Sequence, residues 1–251
     1  MGRERLQKVL AAAGIDSRRR CEELILEGAV RVNKQVVDTL PAFVDPEVDV
    51  ITVHGRTLRP VQKVYYLLHK PKGVICTNAD PEGRRKAIDL VPDRQRVFCV
   101  GRLEIDSSGL VLITNDTELA NRMTHPRYGV AKRYIVTVEG KVEDSHVEKL
   151  KKGVWLSEGK ATTAAIKVLH AGAKESMLEI TLRQTLNRQV RRMLARVGLE
   201  VKTIKRTRIG RLDIRGLGPG QWRLLTGREI EHLRKLAGPS SKVQVSDDET
   251  S

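Results

Sequence analysis

Aromatic side chains make up only 3% of the 251 residues: four Tyr, two Phe and two Trp. That scarcity argues against a single-strand nucleic-acid binder built on stacked aromatic platforms. Cysteine is scarce as well. Cys21, Cys76 and Cys99 are odd in number, far apart and in no CxxC pair, which suggests neither a disulfide framework nor a zinc site. The six histidines show no metal-ligand spacing. No run of eighteen apolar residues occurs, no signal-peptide core follows the basic N-terminus, and no lipidation motif is present. A cytoplasmic protein with no membrane partner is therefore expected.

Positive charge is what the chain has in excess. Lys and Arg total 46 against 31 Asp and Glu, a formal charge of +15. An excess of that size speaks about partners rather than fold, and nucleic acid comes first, ahead of an anionic membrane surface. Between Arg183 and Arg215 lie eleven basic residues against Glu200 and Asp213, the densest basic strip in the chain. The length allows one large domain, or a small one and a medium one.

The first sixty residues read as the small one. Leu6, Val9, Leu10 and Ala13 form the apolar stripe of a short helix ended by Gly14. Asp16 and Ser17 can cap a second, with Cys21, Leu24 and Ile25 inward and Gly28 as its stop. Cys21 is thus expected in the core. Arg18, Arg19 and Arg20 crowd the first turn of that helix, where cations oppose the helix dipole; a phosphate ligand would explain them. Hairpins follow, turning at Asn33-Lys34 and at His54-Gly55.

From Val64 the composition shifts. Val64-Tyr-Tyr-Leu-Leu and Val97-Phe-Cys-Val read as strands. The second delivers a polar loop, Gly101-Arg-Leu-Glu-Ile-Asp-Ser-Ser-Gly109, which runs straight into the apolar strand Leu110–Ile113. Two carboxylates, a guanidinium and two hydroxyls on a loop held by a buried strand are a usual way for a fold to present chemistry. Further expected elements are a helix from Thr117 to Met123, a strand from Arg133, a polar helix over 141–152 and alternating segments near 161–169 and 176–182. Asn187 is expected to cap a helix with Val190, Met193, Leu194 and Val197 inward, and a last helix is expected over 229–236. Strands outnumber helices, so the second domain reads as α+β, with a mainly antiparallel mixed sheet flanked by helices.

Arg5-Leu-Gln-Lys-Val-Leu-Ala-Ala-Ala-Gly, Ser17-Arg-Arg-Arg-Cys-Glu-Glu-Leu-Ile and Gly28-Ala-Val-Arg-Val-Asn-Lys resemble the αL RNA-binding domain of a small-subunit ribosomal protein. The resemblance implies that Lys8, Arg18, Arg19, Arg20, Arg31 and Lys34 grip structured RNA, mostly through phosphates. The loop and strand at 101–116 resemble the GRLDxxTSGLLLLTND motif of pseudouridine synthases. His125-Pro-Arg-Tyr-Gly-Val-Ala-Lys-Arg-Tyr, Asn187-Arg-Gln-Val-Arg-Arg-Met and Ile209-Gly through Leu224-Leu-Thr resemble three further motifs of that family, in the same order. The layout is that of the RsuA/RluB/RluF-type rRNA pseudouridine synthases, over about residues 3 to 236.

That resemblance implies isomerisation of a uridine in ribosomal RNA, without cofactor or metal, on a nucleotide flipped out of its stack. It implies that the carboxylate after Gly101-Arg-Leu starts glycosidic cleavage, that Arg102 holds the flipped state, and that Tyr134 packs against uracil and serves proton transfer. It also implies that Arg191 pairs with the carboxylate. On the helical wheel Arg191 flanks the Val190, Met193 and Leu194 stripe, while Arg188, Arg192 and Arg196 point more outward; Arg188, Arg192 and Arg208 are expected on RNA. The chain departs from the family in having Glu104 where the motif has Asp, with Asp106 two residues on. One extra methylene displaces a carboxylate by about 1.5 Å unless the loop moves, and about 1 Å of misplacement can cost on the order of 100-fold. Three readings stay open: Glu104 as the acting carboxylate, Asp106 in its place, or an impaired relative that binds rRNA as a ribosome-assembly factor. A second departure is Gln184-Thr185-Leu186, where many members have Glu-Gly-Lys or Glu-Gly-Arg. The expected domains are 1–60 for RNA binding, 63–236 for catalysis and 237–251 as a disordered tail. A structured stem-loop of ribosomal RNA, or a ribosomal subunit precursor that contains it, is the expected partner of a monomer.

Overall fold

A two-residue strand, β1 (Glu4–Arg5), leads into α1 (Leu6–Ala12), which buries Leu6 and Leu10. The computed structural model describes residues 3–59, 61–92, 95–184 and 188–236. They divide into two compact units, one built on Met1–Val64 with short pieces at Asp93–Arg96 and Asn115–Thr117, the other on Tyr65–Pro92, Val97–Thr114 and Glu118–Ser251. The proposed tail, 237–251, lies outside the described residues.

In the first unit α2 (Arg18–Leu26) starts at Ser17, whose hydroxyl accepts from the Arg20 N–H at 3.2 Å. This is the side-chain cap that an extended residue supplies to an orphaned amide. Cys21, Leu24 and Ile25 turn inward and meet Leu6, Leu10, Val30, Ile51 and Val53 in one apolar cluster. Strands β2 (Val30–Val32) and β3 (Gln35–Val37) pair across Asn33 and Lys34, both at positive φ (49° and 71°), the backbone that a tight two-residue hairpin requires. Lysine at such a position carries some strain, which the neighbourhood offsets: the Asn33 side chain accepts from Val50 N–H at 2.9 Å and donates to Asp49 at 2.8 Å. A short β4 (Phe43–Val44) pairs with β1, and β5 (Ile51–Val53) with β6 (Arg56–Thr57) closes the small sheet.

The second unit is a mixed sheet with helices packed on it. Its strands are β7 (Tyr65–Lys70), β8 (Phe98–Val100), β9 (Ser108–Thr114), β10 (Lys132–Glu139), β13 (Ala165–Ala171), β14 (Glu175–Leu182), β15 (Val201–Ile209), β16 (Leu212–Asp213) and β17 (Trp222–Leu224); β11 (Val154–Leu156) and β12 (Gly159–Ala161) form a separate hairpin. The main order is β13-β14-β10-β15-β9-β7-β17, with β8 paired to β9 and β16 to β15. Every pair is antiparallel except β15 with β9. The fold is α+β.

Helices α4 (Asp144–Lys152) and α5 (Gln189–Arg196) close one apolar cluster, which includes Leu150, Val190, Met193 and Leu194. Leu119 and Met123 of α3 (Thr117–Thr124) and Leu233 of α6 (Gly227–Leu236) belong to a second. Full burial of a side chain such as Val190, Met193 or Leu194 contributes about 1.5–3 kcal/mol. The solvent-exposed ion pair between Arg192 of α5 and Glu158 in the β11–β12 turn contributes little beside that. Packing, not charge, therefore fixes where α5 holds its arginines. The last helix begins with a reciprocal cap, in which Glu229 accepts from Thr226 N–H (2.9 Å) while the Thr226 hydroxyl faces Glu229 N–H (3.3 Å).

Lys132 opens β10 almost wholly buried, donating to the carbonyls of Met123 (3.3 Å) and Val130 (3.2 Å). Burial, reinforced by the charge of Arg206, pushes its ammonium down to about 8 from 10.5. Below about pH 8 both folded and unfolded chains carry the proton, and the fold bears the cost of the buried charge. Between about 8 and 10.5 the folded chain releases it while the unfolded chain keeps it, so stability rises with pH by about 3 kcal/mol at most. Unfolding measured from pH 7 to 10 should show the wild type gaining on Lys132→Met over that window. A constant difference between the two would contradict this.

Candidate active site

The loop Gly101–Gly109 is pinned along its length before any ligand arrives. Leu103 N–H donates to the Cys76 sulfur at 3.5 Å, and Ile105 O accepts from Gly73 N–H at 2.9 Å and from Lys70 Nζ at 3.4 Å. Lys70, at the end of β7, is fully buried and also donates to the carbonyls of Pro71 (2.9 Å) and Val74 (2.7 Å). Its pKa is lowered by burial, a shift opposed by the nearby Cys76 and Asp106. A hydrogen bond with the Cys99 thiol pulls the Cys76 thiol down, while the same contact pushes Cys99 up.

Glu104 projects from this loop into a cavity of about 380 Å³. That volume falls within the range of sites for small ligands. Its Oε2 lies 3.3 Å from Nε of Arg191 and 3.3 Å from Nε of Arg188. The Arg191 side chain is held from behind by Nη1 donating to Val201 O at 3.0 Å. It is 29% exposed against 57% for Arg188, so Arg191 is the better shielded of the two partners. Tyr134 lines the same cavity from β10, where the register against β15 slips between Arg133 and Tyr134. Such irregularities re-aim a side chain out of strict alternation. Arg102 is exposed, also lines the cavity, and makes no hydrogen bond or ion pair among the described residues. Gln184 completes one wall, accepting from Gln189 Nε2 at 3.1 Å.

Glutamate's extra methylene thus still delivers its carboxylate to Arg191. Asp106 is exposed and outside the cavity lining. Arg188, outward on the helical wheel, instead lies over Glu104, because it precedes the helix in a left-handed conformation (φ 49°) and does not follow the helical period. Arg192 and Arg208, both expected on RNA, each hold an ion pair here: Arg192 with Glu158 (2.7 Å through both nitrogens) and Arg208 with Asp213 (2.6 and 3.1 Å). In the first unit Arg18, Arg19, Arg31 and Lys34 are exposed, Lys8 pairs with Glu4, and Arg20 pairs with Glu23 and Glu27. The expected cap at Asn187, and Thr185-Leu186 beside it, lie outside the described residues. Among the described residues no group of three or more His, Cys, Asp or Glu could hold a metal ion, and no helix is long and apolar enough to cross a membrane.

Comparison with known proteins gives the family. The family described as RNA pseudouridylate synthase matches residues 64–196, and the S4 domain matches residues 4–50. The chain belongs to the RNA pseudouridylate synthase family. It is 44% identical over 237 residues to a protein of Bacillus subtilis (strain 168) named ribosomal large subunit pseudouridine synthase B, covering 93% of this chain and 97% of that one. An uncharacterized RNA pseudouridine synthase of Aquifex aeolicus (strain VF5) is 41% identical over 236 residues, covering 93% and 95%. Among solved structures, a pseudouridylate synthase crystal structure superposes with a TM-score of 0.64 at 29% identity, covering 91% of this chain and 99% of that one.

Among the cavity residues that the sequence pattern did not single out, Arg206 is the charged one. Arg206 is 1% exposed, lines the cavity and lies in the middle of β15. In the basic strip it looked like one more surface cation. No pattern in the sequence marks it, because two irregularities in the pairing of β15 with β10 break the alternation along this strand.

Proposed function

We propose that this protein isomerises a specific uridine of ribosomal RNA to pseudouridine, without a cofactor, on a nucleotide everted into the Glu104 cavity. The observation that carries the reading is one carboxylate, paired to Arg191 and Arg188, inside a cavity also lined by Tyr134 and Arg102. Glu104 acts on the bound nucleotide, as nucleophile or as base, and the bond from C1′ of the ribose to N1 of uracil breaks. The base turns, C5 bonds to C1′, the proton on C5 leaves, and N1, freed from the ribose, gains a proton, so the net change is an isomerisation. Tyr134 packs against the uracil while it turns and serves that proton transfer. Arg102, uncommitted at the cavity, holds the extruded nucleotide, and Arg191 fixes the carboxylate. Names of the relatives support ribosomal RNA as substrate, and with it a cytoplasmic step in making ribosomes.

Residues 1–60 are proposed as the RNA grip and 63–236 as the catalytic domain. The exposed Arg18, Arg19, Arg31 and Lys34 support the first assignment. These contacts go to phosphates, so Arg18→Ala with Arg19→Ala should weaken RNA binding and flatten its dependence on salt. The slope of log affinity against log salt should fall by about 0.9 for each phosphate contact removed. An unchanged slope in filter-binding titrations would exclude these two residues.

The function itself is tested by incubating purified protein with unmodified small- and large-subunit ribosomal RNA. Pseudouridine at a single position is expected. Binding to either RNA without product would overturn the reading.

A further inference from the structure

We propose that Arg206 is a positioning residue for this reaction: it clamps both ends of the Gly101–Gly109 loop and thereby sets where the Glu104 carboxylate stands. The proposal rests on the catalytic reading of Glu104 given above.

Three contacts carry it. Nη2 of Arg206 donates to Gly101 O at 2.8 Å, where the loop starts, and Nε donates to Leu110 O at 2.7 Å, just past its end. Between those carbonyls the chain makes the whole excursion that bears Arg102 and Glu104. The third contact is backbone against backbone. β15 runs parallel to β9 with Arg206 opposite Gly109. It passes so close that a Cβ on Gly109 (φ +112°) would lie 2.2 Å from Arg206 O.

The chemistry of the group matches that task better than a packing role. A guanidinium this deeply buried is costly unless its donors are met, and among the described residues no carboxylate pairs with it. Its known acceptors are two carbonyls nine residues apart in sequence, and a rigid planar fork holds two acceptors at a fixed separation as a flexible ammonium cannot. The same side chain lines the cavity, so any play in it reaches the reacting groups directly. Lys70 and Cys76 secure the middle of the loop; Arg206 alone among these three spans its two ends.

Arg206→Lys tests this because it keeps the charge and loses the fork. Single-turnover pseudouridine formation at saturating enzyme should fall on the order of 100-fold, the effect of about 1 Å of misplacement. RNA affinity should stay within about threefold. The melting temperature should fall by several degrees because the buried hydrogen bonds to Gly101 O and Leu110 O are lost, so rates are compared below the transition at matched folded protein. Hydrogen exchange should quicken in peptides covering 101–110 and not elsewhere in the sheet, a readout independent of activity. A wild-type rate in the folded variant would overturn the proposal. So would a rate loss that tracks loss of RNA affinity or of folded protein, or unchanged exchange in the loop. Absence of product from the wild-type control would instead overturn the functional reading, leaving the exchange result to decide on the clamp.

Discussion

Glu104→Gln should abolish pseudouridine formation, by on the order of 10⁴-fold or more, with RNA binding intact. Removing the group that starts a covalent or acid–base sequence costs about that much in enzymes where it has been done. Glutamine has nearly the shape of glutamate and keeps an oxygen for Arg191, so loop and cavity should survive. What disappears is the negative charge. It now sits 3.3 Å from two guanidinium nitrogens, and without it both arginines face RNA phosphate unopposed. Affinity should therefore hold or rise while turnover vanishes. Asp106→Asn offers the contrast: its side chain is exposed and outside the cavity, so its rate should stay within about threefold of wild type. Single-turnover assays on one RNA check both. Activity surviving in Glu104→Gln and lost in Asp106→Asn would transfer the role to Asp106.

Arg191→Met should come next, with a rate loss of about 10²–10³-fold, the usual cost of one preorganised donor in an active site. The variant keeps the buried length of the side chain against α5 and gives up two hydrogen bonds, to Glu104 at 3.3 Å and to Val201 O at 3.0 Å. The loss should be smaller than for Glu104→Gln, because the carboxylate remains and Arg188 still stands at 3.3 Å. Arg188 is a weaker substitute, being more than half exposed and precluded from the helical packing that holds Arg191. Doubling the change, with Arg188→Met added, should therefore cost more than the sum of the two single losses. Additive losses would mean that the arginines act on RNA separately rather than on a shared carboxylate.

Much of the fold was legible because local chemistry agreed with it. Ser17 caps α2, Asn33-Lys34 turns a hairpin, and the apolar run Leu110–Ile113 is a buried strand, each as the residue types suggest. The loop before that strand was legible because glycines bound it and unlike charges crowd it. Charge density hid β15. Its inward positions are Val201, Ile204, Arg206 and Ile209, and the two register shifts against β10 break the alternation that marks a strand, while an arginine at an inward position weakens the apolar signal further. The same density hid Arg206, since a sequence cannot tell a buried guanidinium from a solvated one until its acceptors are known. Arg188 was misplaced for a different reason. Helical periodicity says nothing about a residue that precedes the helix, and a left-handed backbone there turns its side chain onto Glu104. The β11–β12 hairpin and β17 escaped notice because each strand is only three residues long.

The most direct measurement is a map of pseudouridines in ribosomal RNA from cells lacking this protein, and from the same cells supplied with wild type or with Glu104→Ala. One position should lose its modification, regain it with the wild type and stay unmodified with Glu104→Ala. An unchanged map, or restoration by Glu104→Ala, would contradict the assignment of this cavity and its carboxylate to uridine isomerisation.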